Sequence, residues 1–272
     1  MSERVCLPSA LESLPEIREA IGARVPAFFL DLDGTLTPLV PRPEMVRLSL
    51  AARQVLETLA RRYVVCIVSG RDLSDLRQRV ELPNLYYAAD HGYHVVGPEA
   101  SGIELQVGPE DRFELEAAAC KLEDRLRSIP GVIIEAKETS LSVHYRLVDE
   151  EHRPLVEQVV REVAQSARGM VLRAGKLVHE LRPKLPWHKG KAVLWLLGQL
   201  RLHRDNACPI CLGDDLTDED MFTAVRGWGV TIIVGEVDRP TKAKYSLADS
   251  EEVTEFLQCF TRGGRQVASE PQ

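Results

Sequence analysis

Residues 27–37 read Ala27-Phe28-Phe29-Leu30-Asp31-Leu32-Asp33-Gly34-Thr35-Leu36-Thr37. A short, aromatic, uninterrupted apolar run ends abruptly in two carboxylates two positions apart. Such a run predicts a strand buried on both faces of a parallel sheet. Gly34 stops the strand and lets the backbone approach a ligand closely. Acids at the carboxyl end of a buried strand fall in the crevice where open α/β sheets bind ligands. Two like charges are costly to bury unless something positive joins them. A divalent cation answers that need, and a phosphate beyond it is the expected ligand.

The surrounding chain repeats the pattern. Residues 63–68 form a second apolar run, broken by Ser69-Gly70-Arg71, and residues 86–89 a third, running into Asp90-His91-Gly92. Apolar residues at helical spacing over 48–59 and 73–80 separate these runs, and a short helix over 10–22 precedes them. Strand–helix alternation of this kind predicts a parallel sheet with crossover helices. After Gly108-Pro109 the character changes: an amphipathic helix over 113–126, strands at 132–135 and 140–145, a helix over 155–163, then strands at 170–173 and 177–181 with a hairpin turn at Ala174-Gly175. The sheet pattern resumes after Pro183 and Pro186, with a helix over 192–200, strands at 209–212 and 229–235 and a helix over 253–260. Residues beyond 263 read as a loose tail. The expected architecture is α/β: a Rossmann-like parallel-sheet core (1–108 and 185–272) interrupted by a smaller α+β cap (109–184).

Composition narrows the function classes. The chain has 272 residues, 44% hydrophobic and 28% charged, as for an ordinary soluble globular protein. Its net charge of −7 speaks against nucleic acid or anionic membrane as the main partner. No apolar stretch approaches the roughly 18 residues of a membrane span, and residues 1–25 show no signal-peptide core. Six cysteines in a chain this long do not make a disulfide framework. Cys208-Pro209-Ile210-Cys211 matches a CxxC pattern without a second ligand pair, and buried strand thiols are the expected reading. The expected compartment is the cytoplasm.

Three apolar strands end in polar triplets: Asp31-Leu32-Asp33, Ser69-Gly70-Arg71 and Gly213-Asp214-Asp215. Strand ends favour Asp, Ser and Gly in turns for purely local reasons. All three together, each closing a nearly pure hydrocarbon run, point instead to one shared site. Asp218, Glu219 and Asp220 open a helix with Thr217 as its expected N-cap, and acids there suit the helix dipole.

These motifs, in this order and with Lys189-Gly190, resemble the haloacid-dehalogenase superfamily of phosphohydrolases. The finer pattern is similar to trehalose-6-phosphate phosphatases: Glu135-x-Lys137, Ser140-x-x-x-His144-Tyr145-Arg146, Gly175-Lys176 through Glu180-Leu181-Arg182-Pro183, and Lys189-Gly190-x-Ala192. The resemblance implies Asp31 as nucleophile and Asp33 as general acid and base. It implies Mg²⁺ bound by Asp31, the Asp33 backbone carbonyl and Asp214, with Asp218 behind them. Ser69 and Lys189 would hold the phosphoryl oxygens, with Lys191 a rival for the lysine role. The cap would close over the sheet edge, and Glu135, Lys137, His144, Lys176 and Glu180 would contact a sugar, joined by Arg71 and His91 from the core. The implied partner is a small-molecule sugar phosphate, with functional pairing to a trehalose-phosphate synthase. Sucrose 6-phosphate and glycosyl-phosphoglycerates remain open as substrates, as does a non-catalytic phosphoacceptor or sensor. His94 stands where the family usually carries an acid.

Overall fold

The structure is a computed structural model that describes residues 7–40, 42–107, 113–136, 140–175, 177–236 and 238–261. Gly108-Pro109, Lys137, Lys176 and the tail beyond 263 lie outside the described residues. In chain order the elements are α1 (Leu14–Ile21), β1 (Val25–Leu30), α2 (Leu50–Ala60), β2 (Val64–Val68), α3 (Leu73–Val80), β3 (Tyr86–Ala89), β4 (His94–Val96) and β5 (Glu104–Gln106). Then follow α4 (Phe113–Leu126), β6 (Ile133–Ala136), β7 (Leu141–His144), α5 (Arg153–Ser166), β8 (Met170–Gly175) and β9 (Val178–Pro183). The last elements are α6 (Lys189–Gln199), β10 (Ala207–Gly213), α7 (Glu219–Val225), β11 (Val230–Val234), β12 (Tyr245–Leu247) and α8 (Ser250–Gln258). The chain forms two compact units, residues 1–105 with 187–272, and residues 106–186.

The larger unit is an eight-stranded sheet in the order β12-β11-β10-β1-β2-β3-β4-β5. From β12 to β3 every pairing is parallel, while β4 pairs antiparallel with β3. Alternation along each strand divides its side chains between two layers. Phe28 and Leu30 pack with α1, α2, α3 and α8 on one face; Ala27 and Phe29 pack with α6 and α7 on the other. Both phenylalanines are fully buried, each a gain of roughly 1.5–3 kcal/mol over an exposed ring. Cys208 and Cys211 lie on opposite faces of β10 in these two layers, so the CxxC spacing brings no thiol pair together. Among the described residues no helix is long and apolar enough to cross a membrane.

Strand order runs outward from β1 in both directions, through β2 and β3 on one side and β10 and β11 on the other. The switch point therefore lies between β1 and β10, and ligands of open α/β sheets bind at such points. Register places Leu30 opposite Leu212, so Asp31 and the Gly213-Asp214 end of β10 leave the sheet side by side.

The smaller unit is a four-stranded antiparallel sheet, β6-β7-β9-β8. Leu141, Val143 and Leu181 pack with α4 and α5 on one face. Period-two alternation then assigns Ser142, His144 and Glu180 to the opposite face. Two local expectations change, and three strands were not expected. Strand β8 runs through Ala174 and Gly175, so the hairpin turn falls after them, at Leu177 with φ of 61°. The helix after β10 starts one residue later than expected, with Asp218 at the N-cap and its side chain engaged elsewhere. Strands β4, β5 and β12, each three residues long, are too short to show a period in sequence.

Candidate active site

The ends of β1 and β10 meet at the switch point. Asp31 follows β1, with its amide donating to the Leu212 carbonyl at 3.0 Å. Gly34 turns the chain back at φ of 90°, and a Cβ there would run into the Asp214 carboxylate. Thr35 Oγ1 donates to Asp214 Oδ1 at 3.4 Å. Asp218 is fully buried, and its Oδ2 accepts from the amides of Asp214 and Asp215 at 3.0 and 3.1 Å. That pair of bonds shapes the loop carrying Asp214.

Lys189 is the first residue of α6, where a cation opposes the helix dipole. It is nevertheless only 3% exposed. Its Nζ donates to Asp31 Oδ1 at 2.7 Å and to Asp218 Oδ1 at 2.8 Å. Breaking a buried pair of this kind costs about 3–5 kcal/mol, far more than the dipole penalty of up to about 1 kcal/mol. Gly190 allows the approach, because a Cβ there would strike the Asp220 carbonyl at the start of α7. Lys191 is half-buried and makes none of these contacts.

Carboxylate oxygens of Asp31, Asp214 and Asp218 all lie within 4.8 Å of one another. Burial, reinforced by the neighbouring acids, raises Asp214 to about 7. Burial also raises Asp218, to about 6 against the pull of Lys189, and pushes Asp31 well above the usual carboxylate range. For Lys189 burial acts downward, but Asp218 and Asp31 outweigh it and hold the ammonium charged. Three acids facing one ammonium leave excess negative charge in a site poor in water. The donors are all hard oxygens, the set that suits Mg²⁺. Asp31, Asp214 and Asp218 thus fit a divalent cation.

Asp33 is not among these mutually close carboxylates. Its two oxygens accept a fork from Arg71, Nε at 2.7 Å and Nη2 at 2.6 Å. Arg71 Nη1 also donates to Asp75 at 2.5 Å, and Arg79 holds the other Asp75 oxygen. Ser69 is buried at the end of β2, with its Oγ accepting from the Arg71 amide at 3.2 Å. His91 adopts a left-handed conformation at φ of 56°, donates its amide to the Ser69 carbonyl and lays its ring over Gly70. His94 lies farther along the edge on β4, with Nε2 3.8 Å from Glu104.

In the smaller unit Glu135, Ser142, Glu180 and Arg173 align straight across the four strands. His144 Nε2 lies 2.9 Å from Glu135, and Glu180 accepts from Ser140 at 3.0 Å and pairs with Arg182. Lys137 and Lys176 fall outside the described residues. Ser140 and Arg182 stood in the sequence only as motif members without a role, and Ser142, Asp75 and Arg79 were not singled out from it. The last two had a signal: Arg71, Asp75 and Arg79 recur at intervals of four, the spacing of one helix face.

A family profile described as trehalose-phosphatase matches residues 29–251, most of the chain. The chain belongs to the trehalose-phosphatase family. It is 37% identical over 266 residues to a trehalose-phosphate phosphatase of Mycobacterium tuberculosis, covering 96% of this chain and 67% of that protein. It is 38% identical over 257 residues to a second M. tuberculosis protein, named an uncharacterized glycosyl hydrolase, covering 92% of this chain but only 19% of that one. The C-terminal domain of Candida albicans trehalose-6-phosphate phosphatase superposes with a TM-score of 0.78 at 26% identity, covering 96% of this chain and 99% of that domain. A haloacid dehalogenase-like hydrolase from Bacteroides thetaiotaomicron, at 15% identity and a TM-score of 0.66, shares the fold. Membership in the trehalose-phosphatase family thus accompanies a haloacid-dehalogenase-like core carrying an additional α+β unit.

Proposed function

We propose that the protein is a Mg²⁺-dependent phosphatase that hydrolyses trehalose 6-phosphate to trehalose and inorganic phosphate. The observation that carries this reading is the different environment of two acids two residues apart. Asp31 sits in the acidic cluster against Lys189, while Asp33 is held outside it by Arg71.

In this reading Asp31 attacks phosphorus and forms an aspartyl phosphate. Asp33 gives a proton to the departing sugar oxygen, then takes one from the water that cleaves the phosphoenzyme. Lys189 and the Ser69 hydroxyl donate to the phosphoryl oxygens. Asp31 and Asp214 would hold Mg²⁺, with the Asp33 carbonyl as a further ligand and Asp218 orienting them from behind. When bound, the ion supplies the positive charge that lets one anion approach another. Glu135, His144 and Glu180, with Lys137 and Lys176 from the same unit, would recognise sugar hydroxyls, and His91 would border the core side. The substrate would come from a trehalose-phosphate synthase.

Phosphate release from trehalose 6-phosphate, sucrose 6-phosphate and glucosyl-3-phosphoglycerate, each with Mg²⁺ and with chelator, tests the reading. The expected result is Mg²⁺-dependent release with trehalose 6-phosphate preferred. Preference for another sugar, or release unaffected by chelator, overturns it.

A further inference from the structure

Arg71 is braced as a support for Asp33. The bidentate fork onto Asp33 fixes the plane of that carboxylate, and the third bond, to Asp75, fixes the plane of the guanidinium. Asp75 is itself secured. Its second oxygen accepts from Arg79 Nε at 2.8 Å and Nη2 at 2.7 Å, and its amide donates to Asp72, the N-cap of α3, at 2.8 Å. Arg79 ends on the Glu44 carbonyl at 2.7 Å. Acid and base alternate along Asp33, Arg71, Asp75 and Arg79, so each charge meets its opposite. The Arg71 and Arg79 side chains are 12% and 10% exposed, which leaves little room for other rotamers.

Without this chain, the Asp33 side chain would be free to sample other rotamers, each of which takes the carboxylate out of the plane the fork fixes. The proposed reaction also asks Asp33 to serve two atoms in turn, the sugar oxygen and then a water. Proton transfer tolerates little misplacement in either step. We infer that Arg71, Asp75 and Arg79 form a positioning relay for Asp33, and that Arg71 acts on this carboxylate and not as a ligand of the sugar. The inference rests on the proposed phosphatase chemistry and assigns work to residues that chemistry does not otherwise use.

The test is rapid-mixing kinetics on the full-length, Mg²⁺-loaded protein with p-nitrophenyl phosphate, comparing wild type with Asp75→Asn. Nitrophenolate leaves without a proton, so phosphoenzyme formation proceeds when Asp33 is misplaced, but its hydrolysis does not. The expected result is a burst of nitrophenolate stoichiometric with enzyme, and acid-stable phosphoenzyme above the wild-type level. On trehalose 6-phosphate the same variant should lose about 10- to 100-fold in kcat, with little change in KM. Asp75→Glu should restore part of the loss. Where Asp75→Asn melts before assay temperature, Arg79→Lys, which grips Asp75 through a single point charge, gives the same readout. A loss confined to KM for the sugar phosphate, with normal turnover of p-nitrophenyl phosphate, would make Arg71 a sugar ligand and overturn the relay. Unchanged kinetics on both substrates would overturn it equally. Wild type that turns over p-nitrophenyl phosphate but not trehalose 6-phosphate would reject the substrate reading alone, and the burst comparison would still decide the relay.

Discussion

Asp31 and Asp33 are chemically identical side chains placed in different environments by their neighbours. Asp31 is 5% exposed and shares Lys189 with Asp218, whereas Asp33 is one-third exposed and bound by a guanidinium. Asparagine at position 31 keeps the shape but removes the carboxylate proposed as nucleophile. We expect Asp31→Asn to abolish phosphate release and phosphoenzyme formation alike. Asp33→Asn should reduce sugar-phosphate turnover by about 10²- to 10⁴-fold while still allowing Asp31 to be phosphorylated by p-nitrophenyl phosphate. Acid-quench detection of labelled phosphoenzyme checks both. Substantial turnover by Asp31→Asn would remove it as nucleophile.

At the scale of elements, the site depends on adjacent strands ending together. The β1–β10 register aligns Asp31 with the start of the Asp214 loop, and Gly190 lets α6 approach α7 closely enough for Lys189 to reach Asp218. In the smaller unit, antiparallel register does comparable work, placing Glu135, Ser142 and Glu180 in one row on the face opposite the helices. Losing one buried charge-assisted hydrogen bond costs about 1–3 kcal/mol, roughly 5- to 150-fold in affinity. Glu180→Gln preserves size while removing the charge. It should raise KM for trehalose 6-phosphate within that range and leave kcat/KM for p-nitrophenyl phosphate nearly unchanged. Parallel loss on both substrates would count against a sugar-contacting role for this face.

For the whole molecule, the buried acids couple stability to pH and to cation. Asp214 rises from 3.8 to about 7 and Asp218 to about 6 on folding. The folded protein therefore binds more protons than the unfolded chain between those values. A raised carboxylate contributes stability that is fully present below its unfolded pKa and lost as pH rises through its folded one. The metal-free protein should accordingly lose stability from about pH 4 to pH 7 through these groups. In the proposed reading Mg²⁺ would bind the deprotonated carboxylates and offset this loss, so its stabilising effect should grow with pH. Thermal melts at pH 5 and pH 8, with and without Mg²⁺, should show the larger Mg²⁺-induced rise in Tm at pH 8, each kcal/mol being about 2–4 °C for a chain of this size. Equal rises at both pH values would show that these acids do not take up the cation.

The α/β class and the order of the longer elements were legible because they rest on local patterns. Apolar runs ended by polar triplets mark buried parallel strands, and amphipathic spacing marks the helices between them. That the Asp31, Ser69 and Asp214 strand ends share one edge follows from parallel pairing, without knowledge of any contact. The partners of each charge were not legible. Asp33 meets Arg71 across 38 residues and Asp31 meets Lys189 across 158, and no spacing rule connects positions so far apart. Composition could call for a cation among the acids, but only tertiary packing decided that Lys189 serves Asp31 and Asp218 while Arg71 takes Asp33. Secondary structure is written in short-range periodicity, whereas the pairing of buried charges is settled by approaches of under 3 Å that exist only once the chain has closed on itself.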